Sequence, residues 1–175
     1  MASKYTTYMN ELVEAIEQSD ELPEFTADVV NSTGKVTKYG NVFAANGLKP
    51  NKGKDLRDHV QYAVSKNDGL MLLFYGREGK NTSPRFGDII ASVTMKCELY
   101  IDPIRYLKKD GVRGVEELEN AVLSFIHGLK IGNDRHCNQS LRVEAWREVG
   151  DPDFYVTGID VVRQQVSLKE QSKTK

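Results

Sequence analysis

The chain has little of what enzymes and secreted proteins use. Its 175 residues include two cysteines, three histidines and one tryptophan. Two cysteines, Cys97 and Cys137, cannot build a disulfide framework. Cys97 lies in a run with strand alternation and reads as a small core hydrophobe. Three scattered histidines support no Ser-His-Asp or Cys-His set. His136, Cys137, Cys97 and His59 lack the spacing of metal ligands. No stretch approaches the ~20 apolar residues of a membrane span. The opening MASKYTTYMNELVEAI is amphipathic, unlike the continuous apolar run of a leader. These absences predict a soluble protein made in a reducing cytoplasm, with no cofactor, no metal and no membrane partner. The glycosylation triplets at Asn31, Asn81 and Asn138 are then chance matches.

Charge of one sign is also missing. The count of 24 Lys+Arg against 25 Asp+Glu leaves a net charge of −1. No overall field therefore announces nucleic acid or a lipid surface. Two near-motifs fail on inspection. Gly76-Arg77-Glu78-Gly79-Lys80 has the wrong glycine spacing for a phosphate loop, and Asn81 replaces the magnesium-binding Ser or Thr. A hairpin loop explains it better. Asp151 and Asp153 flank Pro152, and turn chemistry accounts for both before a catalytic carboxylate pair does.

What is present is segregated charge and clear periodicity. Within residues 1–31 the only base is Lys4, against Glu11, Glu14, Glu17, Asp20, Glu21, Glu24 and Asp28. Within 34–60 the bases Lys35, Lys38, Lys49, Lys52, Lys54 and Arg57 face only Asp55 and Asp58. Each segment alone fits a solvated face; together they fit a docking pair. Lys49, Lys52 and Lys54, near Tyr39 and Phe43, would also suit a single nucleic-acid strand, although the neutral balance speaks against it.

The strongest element is a helix over 114–129. Val115, Leu118, Val122, Phe125, Ile126 and Leu129 form one stripe at a period of 3.6. Glu116, Glu117 and Glu119 fill its first turns, where the macrodipole favours negative charge. A first helix over 5–16 shows the same pattern through Tyr5, Tyr8, Met9, Leu12, Val13 and Ile16. Pro23 follows it, and 25–30 reads as a strand. Residues 31–54 form a glycine-rich insertion, with a possible hairpin pairing 36–39 with 42–45 about Gly40-Asn41. A short helix through Leu56, Val60, Ala63 and Val64 stops at Asn67-Asp68-Gly69. The unbroken run 70–75 predicts a strand buried on both faces. Residues 76–87 read as a polar turn region. From Ile89 to Ile101 the alternation is near strict, with Val93, Met95, Cys97 and Leu99 inward. Strands over 140–149 and 154–168 close the domain. A phase change at Val161-Val162 hints at a bulge or a sheet edge.

These elements predict an α+β fold: a mainly antiparallel sheet of four to five strands with the two helices packed on it. The expected core is Leu12, Ile16, Leu72, Val93, Met95, Leu118, Val122, Phe125, Leu141 and Ile159. One domain spans 1–168, with the loop insertion at 31–54 and a flexible tail at 169–175. Trp146 shares a strand face with Arg142 and Glu144. It reads as a partly buried packing residue; if exposed it would mark an interface.

In order, these elements resemble the tail terminator (tail completion) proteins of long-tailed bacteriophages, and are most similar to the branch found in Mu-like contractile tails. The resemblance is carried by the opening helix 5–16, the strand 70–75 closed by Gly76, the strand 89–101, the helix 118–129 and the closing pair 141–147 and 155–166. The insertion 31–54 departs from it. The resemblance implies a virion protein, not an enzyme, that forms a sixfold ring at the head-proximal end of the tail. Such a ring ends tube polymerisation and joins tail to neck, touching the tail tube, sheath and neck proteins. Genome DNA would pass through its lumen without sequence-specific binding. It implies no catalytic residues. Alternatives are another neck or tail-completion component, or a small nucleic-acid-binding protein. Within a ring, the segregated charges predict that the acidic segment 11–28, with Glu11, Glu14 and Glu17, faces Lys35, Lys38, Lys49, Lys52 and Lys54 of a neighbouring subunit or of the tube ring below.

Overall fold

The computed structural model describes residues 4–25, 29–38, 40–44, 56–81, 90–131 and 140–167. The chain begins with α1 (Lys4–Glu17), a 3-10 turn (Pro23–Phe25), β1 (Val29–Val30), β2 (Val36–Lys38) and β3 (Val42–Ala44). It continues through α2 (Leu56–Lys66), β4 (Leu70–Asn81), β5 (Ile90–Ile101), the short α3 (Pro103–Tyr106) and α4 (Val115–Ile126). It closes with β6 (Arg142–Val149) and β7 (Tyr155–Ser167). The main sheet has five strands in the order β3-β4-β5-β7-β6. Only β3–β4 is parallel; the other three pairings are antiparallel. This is the expected α+β, mainly antiparallel architecture. No helix among the described residues is long and apolar enough to cross a membrane.

Helices lie on both faces of the sheet. On the first face, α1 sets down Leu12 and Ile16 and α4 sets down Leu118, Val122 and Ile126, each with no exposed surface. Burying each such side chain contributes about 1.5–3 kcal/mol. They meet Leu72, Phe74, Met95, Cys97, Leu99, Ile159 and Val161. On the second face, α2 presses Val60, Ala63 and Val64 against Met71, Leu73, Tyr100 and Val156. This third helix explains why β4 opens with five buried apolar residues in succession, Leu70 to Phe74. Both of its faces are covered, so alternation has no work to report. Strand β5, covered on the second face only near Tyr100, alternates as expected.

Several expectations need correction. Phe125 is half-buried at the rim of the first core, and Val115 and Leu129 join it there. The rest of the expected core is buried. Of the strand expected over 25–30, Val29–Val30 form β1, Phe25 instead closes a 3-10 turn by donating its amide to the Leu22 carbonyl at 3.0 Å, and residues 26–28 lie outside the described residues. The hairpin about Gly40-Asn41 does not form. β2 pairs with β1 instead, through a turn in which Asn31 Oδ1 accepts from the Thr33 and Lys35 amides at 3.0 and 2.9 Å. β3 joins the main sheet, held where the Leu72 amide donates to the Asn41 carbonyl at 2.8 Å and Asn41 Nδ2 donates to the Glu24 carbonyl at 2.9 Å.

The polar turn expected from Gly76 does not begin there. β4 continues to Asn81, and Gly76, at φ 61°, absorbs a register shift between Tyr75 and Arg77. The phase change in β7 is not an edge either. β7 lies between β5 and β6, and Val161 and Val162 are both buried. A bulge is present nearby: β7 takes three steps from Arg163 to Val166 against two on β5 from Val93 to Ala91, and a second irregularity lies on β6 between Val143 and Ala145, opposite Val161 and Asp160. The tail 169–175 lies outside the described residues.

Candidate assembly surface

The two charge segments of the sequence touch where β1 pairs with β2 and where Asn41 Nδ2 donates to the Glu24 carbonyl, and some of their charges are neutralised within the chain. On α1, Glu14 is exposed and accepts from Gln18 Nε2 at 3.2 Å, while Glu11 and Glu17 are half-buried. Beyond α1, Glu24 is held by Arg113, which donates from Nε and Nη2 at 2.7 Å each. Arg113 also donates to the Glu21 carbonyl at 3.0 Å. This bidentate pair raises the guanidinium pKa, through the Glu24 hydrogen bonds first.

On the basic side, Lys35 is exposed in the β1–β2 turn, and Lys38 belongs to β2. Lys49, Lys52 and Lys54 lie outside the described residues. Arg57 of α2 is drawn inward, against the expectation of a free basic segment. Its Nη1 and Nη2 donate to Asp151, Nη2 also reaches Asp153 at 2.7 Å, and its guanidinium stands 5.0 Å from the centroid of the Phe154 ring. Asp151 in turn accepts from the amides of Asp153 and Phe154 at 2.9 Å each. The Arg57 hydrogen bonds, before the backbone ones, hold the Asp151 carboxyl down at about 2. Asp151 and Asp153 thus build a turn and fasten α2 to it, as turn chemistry predicts.

The second face of the sheet carries a polar network beyond α2. Tyr75 and Tyr100 both donate to Glu98, Tyr75 at 2.8 Å. Burial and then Glu98 push the Tyr75 hydroxyl up to about 12 and raise Tyr100 further, so both stay protonated donors. Lys96 and Arg147 converge on Asp160 at 2.9 and 3.4 Å. On the first face Glu119 accepts from Tyr155 and Thr157 at 3.0 Å each. Every one of these carboxylates is satisfied by structural donors. Cys97 is buried, and its thiol is pushed well up by desolvation, so it is a core residue as expected. Among the described residues no group of three or more His, Cys, Asp or Glu is placed to hold a metal ion. His136 and Cys137 lie outside them.

Among the described residues, Ile104 and Leu107 at α3 are 75% and 51% exposed, and two further surface features stand at opposite ends of the sheet. At one end β6 is an edge strand of eight residues, with Arg142, Glu144, Trp146, Arg147 and Glu148 exposed. Trp146 is 58% exposed. It opposes Ile159 and so projects on the first face, and Glu148 opposes Thr157 on that same face. The expected partial burial of Trp146 fails because no described strand lies beyond β6. At the other end, a groove of about 260 Å³ runs between β3 and α2. Phe43, His59, Tyr62, Ala63 and Lys66 line it, with Asn67 beneath. Asn67 is 3% exposed, and its Oδ1 has no hydrogen-bond partner among the described residues. A smaller hollow of about 210 Å³ on the far side of Asn67 is bounded by charges already engaged, Lys109 with Asp68 at 2.5 Å and Glu24 with Arg113.

Sequence reasoning named Trp146 as a conditional interface residue and missed the groove. Its parts are 24 residues apart in sequence, from Phe43 to Asn67, and only the parallel seating of β3 brings them together. Comparison of the chain with protein-family models and with curated proteins finds no match.

Proposed function

We propose that this chain is a structural subunit of a phage-tail-type particle, a ring-forming terminator at the head-proximal end of the tail. The ring, a hexamer by the resemblance, ends polymerisation of the tail tube and joins tail to neck. Its neighbours are the tube, sheath and neck proteins, and genome DNA passes through its lumen. In this reading the chain is not an enzyme and takes no cofactor.

One observation carries the reading. Apart from the insertion 31–54, the order of elements that resembles tail terminators, helix, strand, short helix, apolar strand, turn, alternating strand, helix and two closing strands, is the order of α1, β1, α2, β4, β5, α4, β6 and β7, of which β4 to β7 make up most of the mostly antiparallel main sheet. Further support comes from the surface. A protein that works by assembly needs contacts, and the exposed groups among the described residues include an open strand edge, an exposed tryptophan and an aromatic groove. The charged clusters named above are engaged in holding the fold.

The test is an image of particles that carry the protein with a small terminal label. The label should sit as a collar between tail and neck, and particles made without the protein should have tails of irregular, excess length. Tails of normal length that still join heads would overturn the reading. Reversal of Lys49, Lys52 and Lys54 to glutamate asks separately whether the basic insertion takes part. Assembly that weakens as salt rises is expected if it does.

A further inference from the structure

The two surface features of the sheet complement each other in chemistry. Trp146 is a large exposed aromatic in the middle of the β6 edge. The groove has aromatic walls, Phe43, His59 and Tyr62. At about 260 Å³ it is smaller than the ~300–1,000 Å³ of most small-molecule sites. That is room for one large side chain. Lys66 stands exposed at its rim, with Nζ 5.6 Å from the Tyr62 ring centroid. Glu148 stands exposed two residues from Trp146 on the same face of β6.

The two features cannot meet within one chain, because β6 and β3 are opposite edges of the sheet. They can meet between chains. We propose that Trp146 of one copy seats in the β3–α2 groove of the next, its indole packing against Phe43, His59 and Tyr62 while Glu148 meets Lys66 at the rim. Trp146 projects from the first face and the groove opens on the second, so successive sheets overlap like tiles. The contact joins two different patches and is therefore heterologous; repeated with closing rotation it makes a ring. The inference rests on the ring reading above and names the contact that reading leaves open. An aromatic anchor in a desolvated pocket is the usual form of an energetic hot spot.

The chain has one tryptophan, so its fluorescence reports this contact alone. Purified full-length protein should show Trp emission that shifts to the blue as concentration rises, in step with mass by analytical ultracentrifugation. Trp146→Ala and Tyr62→Glu change residues that are 58% and 53% exposed, so circular dichroism should be unaltered in both. Each should weaken self-association roughly thirtyfold or more, and each should sediment as a monomer where the wild type is assembled. Mixed one to one they should form a heterodimer and nothing larger, because one keeps the groove and the other keeps the indole. Trp146→Phe should weaken assembly less than Trp146→Ala, because the phenyl ring keeps much of the aromatic contact. If the wild type assembles with unchanged emission, or Trp146→Ala assembles normally, the contact is wrong and the ring reading stands. If the wild type stays monomeric at every concentration, both fall.

Discussion

The two edges of the sheet differ in length, burial and exposure. β3 has three residues, of which Val42 and Ala44 are 3% and 7% exposed, and it is clamped in parallel against the buried first half of β4. β6 has eight residues, most of them exposed. Proteins that stay alone usually blunt a long edge with charges or a bulge. β6 has both, through Arg142, Glu144, Arg147 and Glu148 and through the irregularity between Val143 and Ala145. It nevertheless holds a bare tryptophan in its middle. The difference teaches that the charges discourage indiscriminate edge pairing while Trp146 offers one specific contact. A fold with one closed edge and one open edge is suited to head-to-tail association, because its two ends are not alike.

The contrast can be broken most severely at the closed edge. Phe74 is fully buried and lies opposite Ala44 in the β3–β4 pairing. Phe74→Ala should cost about 3–5 kcal/mol in urea unfolding and should loosen β3 as well as the core. A loss below about 1 kcal/mol would mean that the β3 edge does not depend on the core as described.

A smaller effect is expected where α2 is fastened. Asp151→Asn removes the charge that Arg57 engages and should cost about 1–2 kcal/mol near neutral pH, discounted for the partial exposure of the arginine. The folded Asp151 pKa, about 2, lies below the ordinary carboxylate value of about 3.9. A depressed folded pKa gives stability that is present above the unfolded value and lost as pH falls through the folded one. The gap in melting temperature between wild type and Asp151→Asn should therefore be constant near pH 6 and close between about pH 4 and pH 2. A gap that stays open at pH 2 would assign the loss to the turn rather than to the ion pair.

The least effect on stability is predicted at the open edge. Trp146→Phe should change the stability of the separate subunit by less than about 0.5 kcal/mol. Measured at a concentration where the wild type is assembled, the same substitution should lower the midpoint of thermal melting, since association stabilises only the folded state. Equal melting at all concentrations would deprive the open edge of any role.

How much of this was legible depended on the range of each interaction. The stripe Leu118, Val122 and Ile126 and the alternation of Met95, Cys97 and Leu99 are local patterns, and both stand in the fold. Five buried residues in a row at Leu70 to Phe74 likewise foretold a strand covered on both sides. Phe125 was misplaced because a stripe gives the angle of a helix face but not where its rim falls. β3 was misjudged because its partner lies far along the chain, and Gly40-Asn41 carries a hairpin signal that tertiary pairing overrides. The Arg57–Asp151 bridge spans 94 residues and leaves no trace in charge counts. Trp146 was visible as a residue, but only the sheet order shows that its strand is an edge. The buried, unsatisfied oxygen of Asn67 has no sequence signature, since the same residue also ends α2 in a turn.

The central claim is that copies of this chain join through unlike edges. Sedimentation equilibrium of the wild-type protein, followed together with its tryptophan emission across a wide concentration range, tests it most directly. The account predicts a rise from monomer to a single closed assembly of several subunits, with no plateau at the dimer, and a blue shift that tracks the rise. A stable two-fold dimer as the largest species, or assembly with Trp146 still in water, would contradict it.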